Sequence, residues 1–238
     1  MVVLYKPKDP DMAPFFKRTQ YPQRQRNELA SAGTQYSVVA TNNSTATWNF
    51  YVYQQQPGSP SPGVFSLAWL VLPVAPTTAV TFSWSLDYNF TWSQTGMLKP
   101  GVMFNASQIW DADPNGENLV SFGLNGAGAP TFSDEGSGGS AGSLTISQDR
   151  TCAANAYSVG IGMSGSGTFV TQSQPGTKAI FTPEPAYWIS FGTQVQQGVV
   201  LETVVGDSAK VSFPINVYTM YANLGADNSW TVSQAKST

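Results

Sequence analysis

The amino-acid sequence predicts an all-β protein: a two-sheet antiparallel β-sandwich, built on one β unit or on two related ones, behind an extended N-terminal arm. Three observations carry this. The stretch VTFSWSLDYNFTWS, residues 80–93, alternates apolar and polar side chains almost without fault, and successive strand residues face opposite sides. Only 11% of the 238 residues are charged, and there are 22 Gly and 16 Pro. That composition suits strands joined by tight turns, not helices rich in Glu and Lys. No segment sustains a 3.6-residue apolar period, while many short runs alternate between turn residues. A chain of this length buries about three quarters of its unfolded surface in one domain without disulfide staples.

The arm, residues 1–34, differs from the body, residues 35–238, which is read as a single β-sandwich domain. Lys6, Lys8, Lys17, Arg18, Arg24 and Arg26 outnumber Asp9, Asp11 and Glu28, so the arm carries +3; with the whole chain at −3, the body carries −6. Pro7, Pro10, Pro14 and Pro22 exclude a helix or a central strand from the arm.

The body then reads as strands in order. QYSVVAT (35–41) and TWNFYVYQ (47–54) precede the loop QPGSPSPG. VFSLAWLVL (64–72) is apolar on both parities, as in a strand buried on both faces. The ladder 80–93 follows. Fourteen residues would span nearly 50 Å at about 3.4 Å each, so a bend near Asp87-Tyr88, or a strand serving both sheets, is expected. GVMFNASQIW (101–110) is a strand or a short helix over 105–110. NLVSFGL (118–124) and SLTISQD (143–149) flank a Gly/Ser tract. Further strands are expected at 156–163, 167–174, 178–182, 186–192, 198–205, 210–224 and 229–234. Residues 36–58 resemble residues 157–176, from Tyr36-Ser37-Val38 against Tyr157-Ser158-Val159 to QPG in both. Two related β units and chance similarity between hairpins both account for this.

Several function classes are narrowed by what is missing. The chain has no histidine, which removes the commonest general base, the commonest zinc ligand and every His-activated nucleophile. Its one cysteine, Cys152, can form no intrachain disulfide and reads as a small buried residue in a chain compatible with a reducing compartment. No run of about 20 apolar residues exists to span a bilayer. MVVLYKPKDPDM lacks the apolar core of a secretory signal; the expected location is the cytoplasm, or outside by a non-classical route. Carboxylates are too scarce to mark an acid/base pair, and no enzyme activity is expected. Asn-x-Ser/Thr triplets start at Asn42, Asn43, Asn89 and Asn105 and are read as chance.

Three motifs remain. Gly160, Gly162 and Gly165 fit G-x-G-x-x-G, but a strand pattern follows where a nucleotide site needs a helix. The expectation is a glycine-rich hairpin in which backbones approach closely. Asp111, Asp113, Asn115 and Glu117, in DADPNGEN, match the first half of a calcium loop, but Phe122 stands where its closing acid belongs. The same residues form a strong turn, so calcium is carried as a secondary reading and no other cofactor is expected. Phe15, Phe16 and Tyr21 among Lys17, Arg18, Arg24 and Arg26 could stack on nucleic-acid bases; the acidic body argues against that partner. Burial of Val3, Leu4, Phe15 and Phe16 is favourable, and opposite charges favour docking of the arm on an acidic body, its own or a neighbour's. The aromatic face of the ladder is read mainly as core, with glycan binding by exposed Trp and Tyr as the alternative.

The body also resembles the RhiA family of legume-nodulating bacteria. The resemblance rests on QYSVVATNNS, YVYQQQPG, FSLAWLVLPVAPTTAVTFSWSLDYNFTWSQTG, LKPGVMFNASQ, SVGIGMSGSGTFVTQSQPG, AYWISFG and FPINVYTMYANLGADNSW, in that order over about residues 35–232. It implies a bacterial protein with population-dependent (quorum-linked), plant-associated expression, and it supplies no catalytic residues. The function expected is that of a non-enzymatic, self-associating protein whose arm docks on a neighbouring copy to build a homo-oligomer or filament.

Overall fold

The computed structural model describes residues 34–56, 63–202 and 205–235. The arm residues Val3, Leu4, Phe15, Phe16, Lys17, Arg18, Tyr21, Arg24 and Arg26 lie outside the described residues. Those described belong to one compact unit, Ala32–Thr238. They form seventeen strands and no helix.

The strands form four sheets rather than the two expected. Sheet I runs β17(Trp230–Ser233)-β16(Thr219–Leu224)-β1(Gln35–Asn42)-β5(Ala79–Ser85). Sheet II runs β15(Ala209–Val211)-β14(Tyr187–Gly192)-β2(Trp48–Gln54)-β4(Leu70–Val74). Sheet III runs β3(Val64–Ser66)-β12(Ser166–Gln172)-β11(Ser158–Met163)-β6(Tyr88–Ser93)-β7(Gln108–Ala112). Sheet IV runs β13(Lys178–Phe181)-β10(Leu144–Gln148)-β8(Leu119–Leu124)-β9(Pro130–Gly136). Pairing is antiparallel except for β1 with β16 and β8 with β10; both parallel pairs join strands far enough apart in sequence to allow a crossover.

Two apolar clusters hold the sheets together. Val38, Phe50, Val52, Phe82, Trp84, Ile189 and Leu224 bring sheets I and II onto one core. Phe90, Val120, Phe122, Phe132, Ile146, Val159 and Ile161 do the same for sheets III and IV. Each fully buried side chain of this size contributes about 1.5–3 kcal/mol.

The ladder joins the two clusters. It breaks at Leu86-Asp87, as its length requires: β5 pairs with β1 in sheet I, and β6 pairs with β11 and β7 in sheet III. Phe82 and Trp84 enter the first core, Phe90 and Trp92 the second, and Tyr88 packs against both. Alternation holds in β5, where Thr81 and Ser83 are exposed. It fails in β6, where Asn89, Thr91 and Ser93 are buried as well. The cause is a third apolar layer, in which Leu67, Leu98, Phe104 and Val200 pack with Val170 of β12 on the outer face of sheet III.

That layer explains other departures. Of the run 198–205, the described residues 198–202 and 205 make no strand. They begin a strap in which Leu67 bridges Val200 and Met103 bridges Val199. The Phe104 N–H donates to the Gly198 carbonyl at 2.9 Å. Gly198 sits at φ +86, and a Cβ there would lie 2.6 Å from the Phe104 carbonyl oxygen, so only glycine fits. The run 64–72 splits at buried Leu67, Ala68 and Trp69 into β3 and β4, in different sheets. The run 210–224 splits into β15 and β16 around Pro214. The helix alternative over 105–110 is replaced by β7, and β9 emerges from the Gly/Ser tract. The two segments of the suggested repeat are not equivalent: β11 and β12 pair as a hairpin, while β1 and β2 belong to separate sheets. Asn42 and Asn89 are buried, which removes both as glycan acceptors.

Candidate functional site

The Gly160–Gly165 motif is a close-packed hairpin. A Cβ on Gly160 would lie 2.1 Å from the Phe169 carbonyl oxygen, and one on Gly162 would lie 1.9 Å from that of Ser166. Ser164 and Gly165, at φ 51 and φ 74, make the two-residue turn, the geometry that matches strand twist. A strand, β12, follows instead of a helix N-terminus, so the phosphate cradle of a nucleotide site is not formed.

Asp113, Asn115 and Glu117 form the β7–β8 turn. The Asp113 N–H donates to the Glu117 carbonyl at 3.0 Å, and the Asn115 N–H donates to Asp113 Oδ1 at 2.9 Å. This is an Asx turn. Asp111, Asp113, Asn115 and Glu117 are all exposed. Among the described residues no group of three or more His, Cys, Asp or Glu is placed to hold a metal ion.

The aromatics are largely interior. Trp69, Trp84 and Trp92 are buried, and Trp48, Trp110, Trp188 and Trp230 are half-buried. Trp48 and Trp230 flank Phe191, at centroid distances of 4.9 and 6.2 Å. Their indole N–H groups are engaged, donating to Ser44 Oγ at 3.0 Å and to the Asp207 carbonyl at 3.1 Å.

Titration behaviour follows burial. Desolvation pushes the phenols of Tyr51, Tyr53, Tyr88 and Tyr187 above their ordinary range. The Cys152 thiol is also pushed up, first by burial and then by the Asp149 carboxylate. A thiol held protonated is a poor nucleophile.

A cleft of about 270 Å3 lies between β12 and β13, where Gln148, Gln172, Gln174, Lys178 and Ile180 form part of its wall. Its glutamines already brace the protein. The Gln174 N–H donates to Gln148 Oε1 at 2.9 Å, and Gln172 Nε2 donates to the Tyr157 carbonyl at 2.7 Å.

The opposite side of the same sheet pair is different. There the edge strands β7 and β9 meet through Gln108, whose Oε1 accepts from Phe132 N–H and from Trp92 Nε1, both at 2.9 Å. Trp110 packs on Phe132 at 5.7 Å. Alternation turns Ile109 and Asp111 outward, and both are exposed. β7 and the turn after it carry exposed Asp111, Asp113 and Glu117, β9 carries exposed Asp134, and neither strand carries a Lys or Arg, so the strands of this seam bring only negative charge. Gln108 carried no sequence signal: one glutamine among many in a polar chain is indistinguishable until β9 is placed beside it.

Fold and sites together define a class: an all-β protein of four antiparallel-rich sheets, whose described residues present a braced polar cleft and open strand edges. The RhiA family profile matches residues 33–235. The chain is 42% identical over 206 residues to Protein RhiA of Rhizobium leguminosarum bv. viciae, covering 85% of this chain and 88% of that relative. The chain belongs to the RhiA family. No solved structure matches it. Residues 1–32 lie ahead of the family match.

Proposed function

We propose that this is a non-enzymatic, self-associating protein whose N-terminal arm docks on a neighbouring copy. The supporting observation is the division of charge: an arm at +3 with apolar Val3, Leu4, Phe15 and Phe16 precedes a body at −6. Basic, apolar segments gain by covering acidic, partly apolar surface. Reciprocal exchange between two copies closes a dimer, and a non-closing exchange builds a filament. The plant-associated, population-dependent setting implied by the family resemblance is compatible with such an assembly.

Sedimentation of the full chain beside a chain beginning at Thr34 tests this. The described core residues all lie in the shorter chain, and circular dichroism confirms its fold. Assembly by the full chain and a monomer from the shorter one is the expected pair of results. A full chain that stays monomeric at high concentration and low salt removes the proposal.

A glycan-binding module is the alternative, favoured by the half-buried Trp48, Phe191 and Trp230 group. Unchanged tryptophan fluorescence during titration with plant and bacterial polysaccharides removes it.

A further inference from the structure

We infer that the landing site of the arm is the free edge of β7, and that the arm segment Phe15–Tyr21 of a second copy adds there as a parallel strand. The inference rests on the self-association proposed above and names its contact surface. β7 ends sheet III and has one strand partner, β6, among the described residues. An edge strand offers a row of unpaired backbone donors and acceptors to another chain.

Most other edges are blunted. β3 and β15 are three residues long and β17 is four. β4 contains Pro73, and β9 contains Pro130 and a register shift near Asp134, which stands at φ 52. β13 carries Lys178, the same sign as the arm. Two long edges without proline remain, β5 and β7. β5 is uncharged, whereas β7 presents Asp111 and leads into Asp113. Charge complementarity selects β7 for a basic partner.

The arm sequence fits that edge. Pro14 and Pro22 bound a proline-free run, FFKRTQY, which includes Lys17 and Arg18. On β7, exposed Ile109 is followed two residues on by exposed Asp111. In the arm, Phe16 is followed two residues on by Arg18. Residues two apart share a face of a strand. Parallel addition therefore sets Phe16 beside Ile109 and Arg18 beside Asp111 at once; antiparallel addition keeps only one of these two pairs in any register. The nineteen residues from Phe16 to the start of β1 at Gln35 can span about 60 Å when extended, enough to reach another molecule.

The test uses full-length chains compared by sedimentation at low salt. Asp111→Lys and Arg18→Glu are each expected to weaken assembly by about tenfold or more. Combining them restores it to near the wild-type level. Glu184→Lys changes net charge equally at an exposed site away from β7 and leaves assembly intact. The inference is overturned if Asp111→Lys assembles like wild type, if Glu184→Lys weakens assembly as much, or if the double variant is not restored. In those cases arm-driven assembly itself still stands. A wild-type chain that does not assemble removes the self-association reading instead, so the two failures are distinct.

Discussion

Ser85 gives both of its backbone groups to the side chain of Ser164: its N–H donates to Ser164 Oγ at 2.9 Å, and its carbonyl accepts from the same hydroxyl at 3.0 Å. The Ser164 N–H in turn donates to the Asp87 carbonyl at 2.9 Å. The turn of the β11–β12 hairpin thus clasps the point where the ladder leaves sheet I for sheet III. Trp69 reinforces the same junction, donating through Nε1 to the Met163 carbonyl at 3.1 Å.

Ser164→Ala is expected to destabilise the protein by about 1–3 kcal/mol, because it strands a part-buried N–H while leaving in place the wild type's cost of a Cβ in the left-handed region. Ser164→Gly removes the same hydroxyl without that conformational cost and is expected to be milder. Urea midpoints for the two variants separate these contributions; equal midpoints would contradict the role of backbone conformation.

Gly162→Ala is expected to lose several kcal/mol, because the colliding atom, 1.9 Å away, is the backbone oxygen of Ser166 and cannot rotate aside. Gly165→Asn, at φ 74 with nothing within 4 Å, is expected to cost about 1 kcal/mol or less. Thermal melts of both check this. Tolerance of Gly162→Ala would mean the hairpin is not as tightly apposed as described.

Trp84 and Trp92 share a sequence face but not a core. Trp84 packs on Tyr36, Trp69, Tyr187 and Phe213, while Trp92 packs on Phe122 and Tyr157. Trp84→Phe and Trp92→Phe are each expected to cost about 1–3 kcal/mol and to add within about 0.5 kcal/mol in the double variant. Chemical denaturation of all three checks it; a large interaction energy would show that the clusters act as one.

The same ladder shows how far the sequence was legible. Alternation over Val80–Ser93 was visible because a strand repeats every two residues, and a break near Asp87 followed from length alone. The burial of Asn89 and Thr91 was not visible, because it depends on Phe104 and Leu98 from a loop folding over sheet III. β9 was hidden among glycines and serines, since Phe132 is its one strongly apolar residue facing the core. The spacing of Asp111 and Asp113 points by itself to calcium. The place of Asp111 on an open edge, and of Asp113 just beyond it, depends on where β7 ends up in sheet III, which local spacing does not encode.

Stability is expected to fall in alkali. Burial raises the folded pKa of Tyr51, Tyr53, Tyr88 and Tyr187, so the unfolded chain loses phenolic protons first. The native state's advantage is complete below about pH 10, the unfolded value, and is lost as pH rises through the folded values. With no histidine in the chain, no imidazole contributes a slope near neutrality. Urea midpoints from pH 6 to 11 check this, and Tyr187→Phe is expected to flatten the alkaline limb. An unchanged limb would remove Tyr187 as a contributor.

The most direct measurement is the sedimentation coefficient of the full chain across concentration, at low salt and again near 1 M salt. Arm-driven assembly predicts a coefficient that rises with concentration at low salt and falls back when the charges are screened. A single monomeric coefficient under every condition would contradict self-association.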